Sequence, residues 1–229
     1  MMLWILLIGV PILLGLWAQM RVKSAFGHWS QVAATSGVTG AQAARRILEA
    51  ANIRDVEVLE INDMLGDHYD PTNKRLCLST DVYNTPSVAA LGIAAHECGH
   101  AIQHQKAYAP LKWRMAVVPM TMVVSSILPF IMIGGFIVPM LWMKLIMVAA
   151  VCYAVLAVFQ LITLPVEFDA SRRAKVILQQ MGMIRAGEEA SGVNKVLDAA
   201  ALTYVAAFVA VISQLLYYVL ILTGNRGEE

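Results

Sequence analysis

Charged side chains are scarce in this chain. Asp, Glu, Lys and Arg make up 14% of its 229 residues, against about 25% in an ordinary soluble domain, too few to clothe a globule of this size in water-binding groups. An excess of either sign is missing as well. Lys+Arg 17 against Asp+Glu 16 leaves a net charge of +1, so there is no broad basic field to draw in nucleic acid. Cysteine occurs only at Cys77, Cys98 and Cys152. Their spacing makes neither a CxxC pair nor a disulfide framework, which suits a reducing compartment. What is abundant is apolar: 59% of the residues are hydrophobic and the mean hydropathy is +0.64, which excludes disorder. The chain reads as an integral membrane protein with a modest polar part.

The apolar residues fall into four runs. Met1 to Met20 carries no charge and can span about 30 Å of hydrocarbon. It lacks the positive flank and the small-residue cleavage site of a signal peptide, so a retained helix is expected, with Pro11 tolerated inside it. Between Arg114 and Glu167 the only charged residue is Lys144. That length predicts two spans, Ala116 to Val138 and Leu145 to Leu164, joined by a tight turn at Pro139, Trp142 and Lys144. The fourth run is Ala199 to Leu222. Segment 21–115 carries 10 Lys/Arg and segment 165–198 carries 5, whereas the other side has only Lys144 and Arg226. This asymmetry predicts that both polar segments are cytoplasmic.

The first polar segment reads as a small α+β domain. Thr39-Gly40-Ala41-Gln42 is a capping box ahead of the helical pattern Ala43, Ala44, Ile47, Leu48, Ala51. Val56 to Ile61 and Arg75 to Ser79 are strand-like, with a turn at Asp70-Pro71-Thr72-Asn73 before the second. Thr85 is expected to cap the next helix, with Pro86 at its first position.

That helix contains His96-Glu97-Cys98-Gly99-His100, an HExxH motif. Residues four apart share a helix face, so both imidazoles can aim at one ion. Glu97 is set one residue round, beside the ion and its water, where a general base belongs. A catalytic zinc site wants a third protein ligand. His104 continues the i+4 series but lies about 6 Å further along the axis than His100, and is expected to be solvent-facing or to support the ligands from behind. His68 and His28 read as ordinary surface. Glu167, just past the third run, is the better candidate; the alternative is an interfacial Glu paired with Arg172 or Arg173. Asp169 is about 200° round the helix from Glu167 and is not expected to share the ion. Arg172 and Arg173 read first as topology determinants, with an oxyanion role as the alternative.

HECGHAIQH, DHYDP, VAALGIAAHE, LPVEFDASRRA and AALTYVAA together resemble the YugP-like neutral zinc metallopeptidases of membranes, over nearly the whole chain. More distantly, HExxH followed across a membrane hairpin by Glu-Phe-x-Ala is similar to the HtpX and CAAX prenyl protease group. The resemblance implies that His96, His100 and Glu167 hold Zn2+ and that Glu97 is catalytic. The distant group usually carries Asp where this chain has Ser171. Asp169, Ser171 and Arg172 are then candidates for contacts behind the ligands or for oxyanion stabilisation. Tyr204 could serve as an oxyanion donor or as an interfacial anchor. Arg75, Leu76, Cys77, Leu78 and Ser79 could form the edge strand that holds an extended substrate, or a plain structural strand.

The expected architecture is a mainly α membrane protein with about four transmembrane helices and a small α+β, zincin-like domain on the cytoplasmic side. Residues 1–20 are the first span, 21–115 the polar domain with the HExxH helix, and 116–164 a membrane hairpin. Residues 165–198 form a polar segment carrying the third ligand, 199–222 the last span and 223–229 a tail. The expected activity is zinc-dependent endoproteolysis of membrane or membrane-proximal proteins in the cell membrane, with peptide and lipid as partners and nucleic acid excluded. Oligomeric state is left open. The competing readings are a non-catalytic, zinc-stabilised membrane scaffold and an intramembrane protease of the site-2 type. The polar residues that bracket the motif argue against the latter.

Overall fold

The computed structural model describes residues 5–63 and 65–224, apart from the side chain of Phe136. The element order begins with a π-helical turn, Ile5–Gly9, leading into α1 (Val10–Trp29), α2 (Gly40–Ala50), β1 (Glu57–Ile61), β2 (His68–Asp70) and β3 (Arg75–Ser79). There follow α3 (Thr80–Asn84), α4 (Val88–Gln105), α5 (Ala109–Ile137), a 3-10 turn (Pro139–Leu141), α6 (Trp142–Gln180) and α7 (Glu188–Gly224). Residues 1–4 of the expected first span and 225–229 of the expected tail lie outside the described residues, and Thr223 and Gly224 complete α7.

Two compact units emerge. One gathers residues 5–18, 113–164 and 203–224; the other gathers 19–112 and 165–202. Among the described residues, four helices are long and apolar enough to cross a membrane. In the first unit large apolar side chains such as Leu13, Phe130, Ile133, Val151 and Leu161 stand exposed. Water would penalise each of these exposed chains; lipid does not. Pro119 and Pro129 lie inside α5 and Pro165 inside α6, a placement bilayer helices tolerate. A small cluster of Ile146, Ala149 and Ala150 on α6 packs against Tyr217 and Tyr218 on α7.

The helices outrun the apolar runs that predicted them. α6 spans 39 residues and passes without a break through Leu164 into the polar segment, and α7 begins at Glu188, well before Ala199. Hydropathy marks where a helix is greasy; backbone hydrogen bonding continues until a stop signal, here Gly182 with φ 63° just past α6.

In the second unit, α2 begins with the capping box: Thr39 Oγ1 accepts from Gln42 N at 3.3 Å and Gln42 Oε1 accepts from Thr39 N at 3.2 Å. Ala43, Ala44, Ile47 and Leu48 are buried, the apolar stripe that this spacing builds. The sheet order is β1-β3-β2. β3 pairs in parallel with β1 from Glu57↔Arg75 to Ile61↔Ser79, and antiparallel with β2 through His68↔Cys77, Tyr69↔Leu76 and Asp70↔Arg75. This corrects the substrate-strand expectation. Arg75–Ser79 is the central strand, with Leu76, Cys77, Leu78 and Ser79 buried; it pairs with β1 along its length and with β2 over Arg75, Leu76 and Cys77. The edges of the sheet are β1 and β2.

A second correction concerns the start of the motif helix. Ser87, not Thr85, is the N-cap of α4: its Oγ accepts from Ala90 N at 3.1 Å. Thr85 instead turns its hydroxyl back onto the Asp81 carbonyl, closing α3. α4 is buried on nearly every side, with Val88, Ala89, Ala90, Leu91, Ala94, Ala95, Cys98 and Ala101 in the core. Its small residues let neighbouring elements come close.

Candidate metal centre

The site is made where α4 meets the part of α6 that follows Pro165. That approach is governed by Gly99. A Cβ built there would stand 2.8 Å from the Ala170 carbonyl oxygen and 3.0 Å from its Cα, closer than real Cβ atoms come to backbone. Only glycine permits the contact, and the contact brings the turn of α6 containing Glu167 against the motif face of α4.

His96, His100 and Glu167 converge there, with ligand atoms all within 4.8 Å of one another. Glu167 Oε2 is 3.3 Å from His96 Nε2 and 3.6 Å from His100 Nε2. The two rings stand nearly perpendicular, at 87°, with centroids 4.8 Å apart. A tetrahedral ion with bonds of about 2.0–2.1 Å requires donors about 3.3 Å apart, and two imidazoles with one carboxylate form a known catalytic zinc set that leaves a position open. The residues fit zinc. Glu167 is 2% exposed, and a carboxylate so deeply buried demands a cationic partner.

Glu97 is buried beside this group. Burial pushes its carboxyl above the usual range; His96 and His100 oppose that shift, while Glu167 and Asp67 add to it. For His100, burial pulls the imidazole down, but hydrogen bonding to Glu167 and the charges of Glu97 and Glu167 outweigh it, so the net shift is upward. The carboxylates around His100 thus make this group one that favours positive charge.

Both histidines are held from behind. Ser171 Oγ lies 3.1 Å from His96 Nδ1, and Gln103 Oε1 lies 3.0 Å from His100 Nδ1. Asp169 does not join the triplet: it accepts from Gln103 Nε2 at 3.0 Å, from Arg173 and from Arg172. Both arginines thus hold Asp169. His104 also stands outside the triplet, its Nδ1 2.9 Å from Tyr69 Oη. Burial, with Asp55 and Asp70, pushes the Tyr69 phenol up to about 12, so it keeps its proton. His68 is exposed with Nδ1 2.7 Å from Gly66 O, and His28 is exposed at the end of α1, edge-on to Trp29. Tyr204 lies half-buried on α7 in the other unit. Cys98 faces away into the core, its thiol 3.6 Å from the Ala44 carbonyl; burial raises the thiol well above its ordinary value, the condition of an inert cysteine.

Three contributors were not singled out from the sequence. Gly99 lies between the two histidines of HExxH, and its role shows only in its contact with α6. Gln103 carries a signal in its i+3 position, which puts an amide on the His100 face. Asp67, the first residue of the DHYDP stretch, accepts from Ser79 N at 2.8 Å and from Ser79 Oγ at 3.1 Å and adds its charge to the field at Glu97.

Over residues 4–223 the chain matches the profile of a family described as "Putative neutral zinc metallopeptidase". It is 45% identical, over 228 residues and 100% of both chains, to a protein of Bacillus subtilis (strain 168) named "Putative membrane protease YugP". No solved structure matches it. With the profile running from the first apolar helix into the last, this chain belongs to the neutral zinc metallopeptidase family.

Proposed function

We propose that this protein is a membrane-embedded, zinc-dependent endopeptidase that cleaves membrane or membrane-proximal proteins. The observation that carries the reading is the convergence of His96, His100 and Glu167 beside a buried Glu97 that is not one of the three. In it, His96, His100 and Glu167 are the metal ligands. Zinc held there supplies Lewis acidity toward a peptide carbonyl and toward the attacking water. Glu97 takes the proton from that water and delivers it to the leaving amine nitrogen. The Lys/Arg excess on segments 21–115 and 165–198 supports a site on the cytoplasmic side, and a site carried on the continuation of an apolar helix supports substrates close to the bilayer.

Cleavage of membrane extracts by the detergent-purified protein tests this reading. Proteolysis should disappear with a chelator and return with zinc; proteolysis indifferent to the chelator would overturn it. Zinc binding should also depend on pH in a defined sense. Protons compete with zinc for His100, whose imidazole is shifted upward. Affinity should therefore be full at alkaline pH and begin to fall on acidification while still above the ordinary imidazole value of about 6.5. Chelator competition from about pH 8 to about pH 5 measures it, and an affinity flat through about 6.5 contradicts it.

A further inference from the structure

Gln103 is fully buried, with 0% exposure, on the same helix as His100 and three residues beyond it. Its amide group is used at both ends. On one side lie the Val166 carbonyl oxygen at 2.8 Å and Asp169 Oδ2 at 3.0 Å. A backbone carbonyl can only accept, and so can a carboxylate already gripped by Arg172 and Arg173. The NH2 end of the amide must therefore face them. The amide oxygen is left facing His100 Nδ1 at 3.0 Å, and an oxygen there requires that Nδ1 carry the proton. Nε2, the atom nearest Glu167, is then the one with the free lone pair.

The partner of His96 imposes nothing comparable. Ser171 Oγ is a hydroxyl, able to donate or accept by rotating, so it accommodates either form of that ring. The constraint in this site runs through one histidine, and it begins outside the site, at the Arg172–Asp169–Arg173 cluster on α6.

We propose that Gln103 is a positioning residue that fixes the tautomer and orientation of His100, with Asp169 and the Val166 carbonyl fixing Gln103 in turn. This rests on the reading of His100 as a zinc ligand. The LPVEFDASRR segment thereby gains a second role, since the same helix that delivers Glu167 also sets the proton on the ligand facing it. Partners of this kind are worth about 10- to 100-fold in metal affinity.

The test is zinc affinity of the full-length, detergent-solubilised protein, measured by competition with a chromophoric chelator. Gln103→Met keeps the bulk but removes both hydrogen-bonding ends, and should weaken zinc binding about 10- to 100-fold. Gln103→Glu sets a second carboxylate against Asp169 and should weaken it as well. In the double variant Gln103→Glu with Asp169→Asn, the amide moves to position 169 and can donate to Glu, while the new carboxylate still accepts from His100 Nδ1. It should recover part of the affinity lost in Gln103→Glu, the part due to Asp169, because the Val166 carbonyl still lacks its donor. A role in packing alone predicts no such recovery. Zinc affinity of Gln103→Met within about twofold of the wild type, far below the effect expected of such a partner, overturns the proposal, as does a double variant no better than Gln103→Glu. If Gln103→Met does not fold, the second comparison decides. Should the wild type bind zinc no better than His100→Ala, the endopeptidase reading itself fails; tight binding in both wild type and Gln103→Met sinks only the role of Gln103.

Discussion

Replacing Glu97 with Gln should leave zinc bound and reduce proteolysis by about 10²- to 10⁴-fold, the usual worth of a positioned general base. The two side chains have the same shape, so the packing around this buried position survives. The amide also carries no charge to desolvate, whereas burial opposes the Glu97 carboxylate; the variant should fold at least as stably as the parent. What it loses is the ability to accept and return a proton. Zinc content, thermal unfolding and cleavage of membrane extracts, taken on the same preparation, separate these effects. Loss of zinc along with activity would make Glu97 part of the metal-holding set, and undiminished cleavage would place the base elsewhere.

Gly99→Ala should be the most disruptive single-methyl change in the motif. The added Cβ meets Ala170 backbone atoms at 2.8 and 3.0 Å, and backbone cannot rotate aside as a side chain can. Overpacking of this kind costs about 1–3 kcal/mol. The only relief is for α4 and α6 to part, and Glu167 sits one turn from Ala170 on the moving helix. Zinc affinity should therefore fall together with thermal stability. Gly92→Ala, on the same helix, is the control. Its Cβ would meet Val193 Cγ1 at 3.5 Å, an ordinary contact, and the gain in helix propensity of about 0.5–1 kcal/mol should make it neutral or mildly stabilising. Equal effects from the two substitutions would show that close helix approach is not what assembles the ligands.

The contrast between these glycines shows what one-dimensional reading could and could not reach. The HExxH pair was legible because its information is local: spacing of four on a helix fixes a shared face. Glu167 was legible for a different reason, since a carboxylate at the rim of an apolar run needs a partner wherever the chain takes it. The capping box at Thr39 and Gln42 was legible at the same short range. β2 was not. Three residues, His68-Tyr69-Asp70, carry no alternation to detect, and their pairing is what turns β3 from an edge into a centre. The cap of α4 was misplaced by two residues because Thr85 and Ser87 are equally good caps in isolation. The choice falls to Ser87 through tertiary bonds, Ala34 N to the Pro86 carbonyl at 2.8 Å and Val88 N to the Val32 carbonyl at 2.9 Å. Gly99 and Gln103 depend on what α6 brings to them, a contact made across more than 60 residues of chain.

The most direct measurement is the zinc content of the protein purified in detergent, wild type beside Glu167→Ala. Folding of both is checked by their far-ultraviolet circular dichroism. A carboxylate that closes the coordination of two imidazoles predicts stoichiometric zinc in the wild type and little in the variant, with helix content unchanged. Zinc retained in full by Glu167→Ala would contradict that geometry and the hydrolytic chemistry built on it.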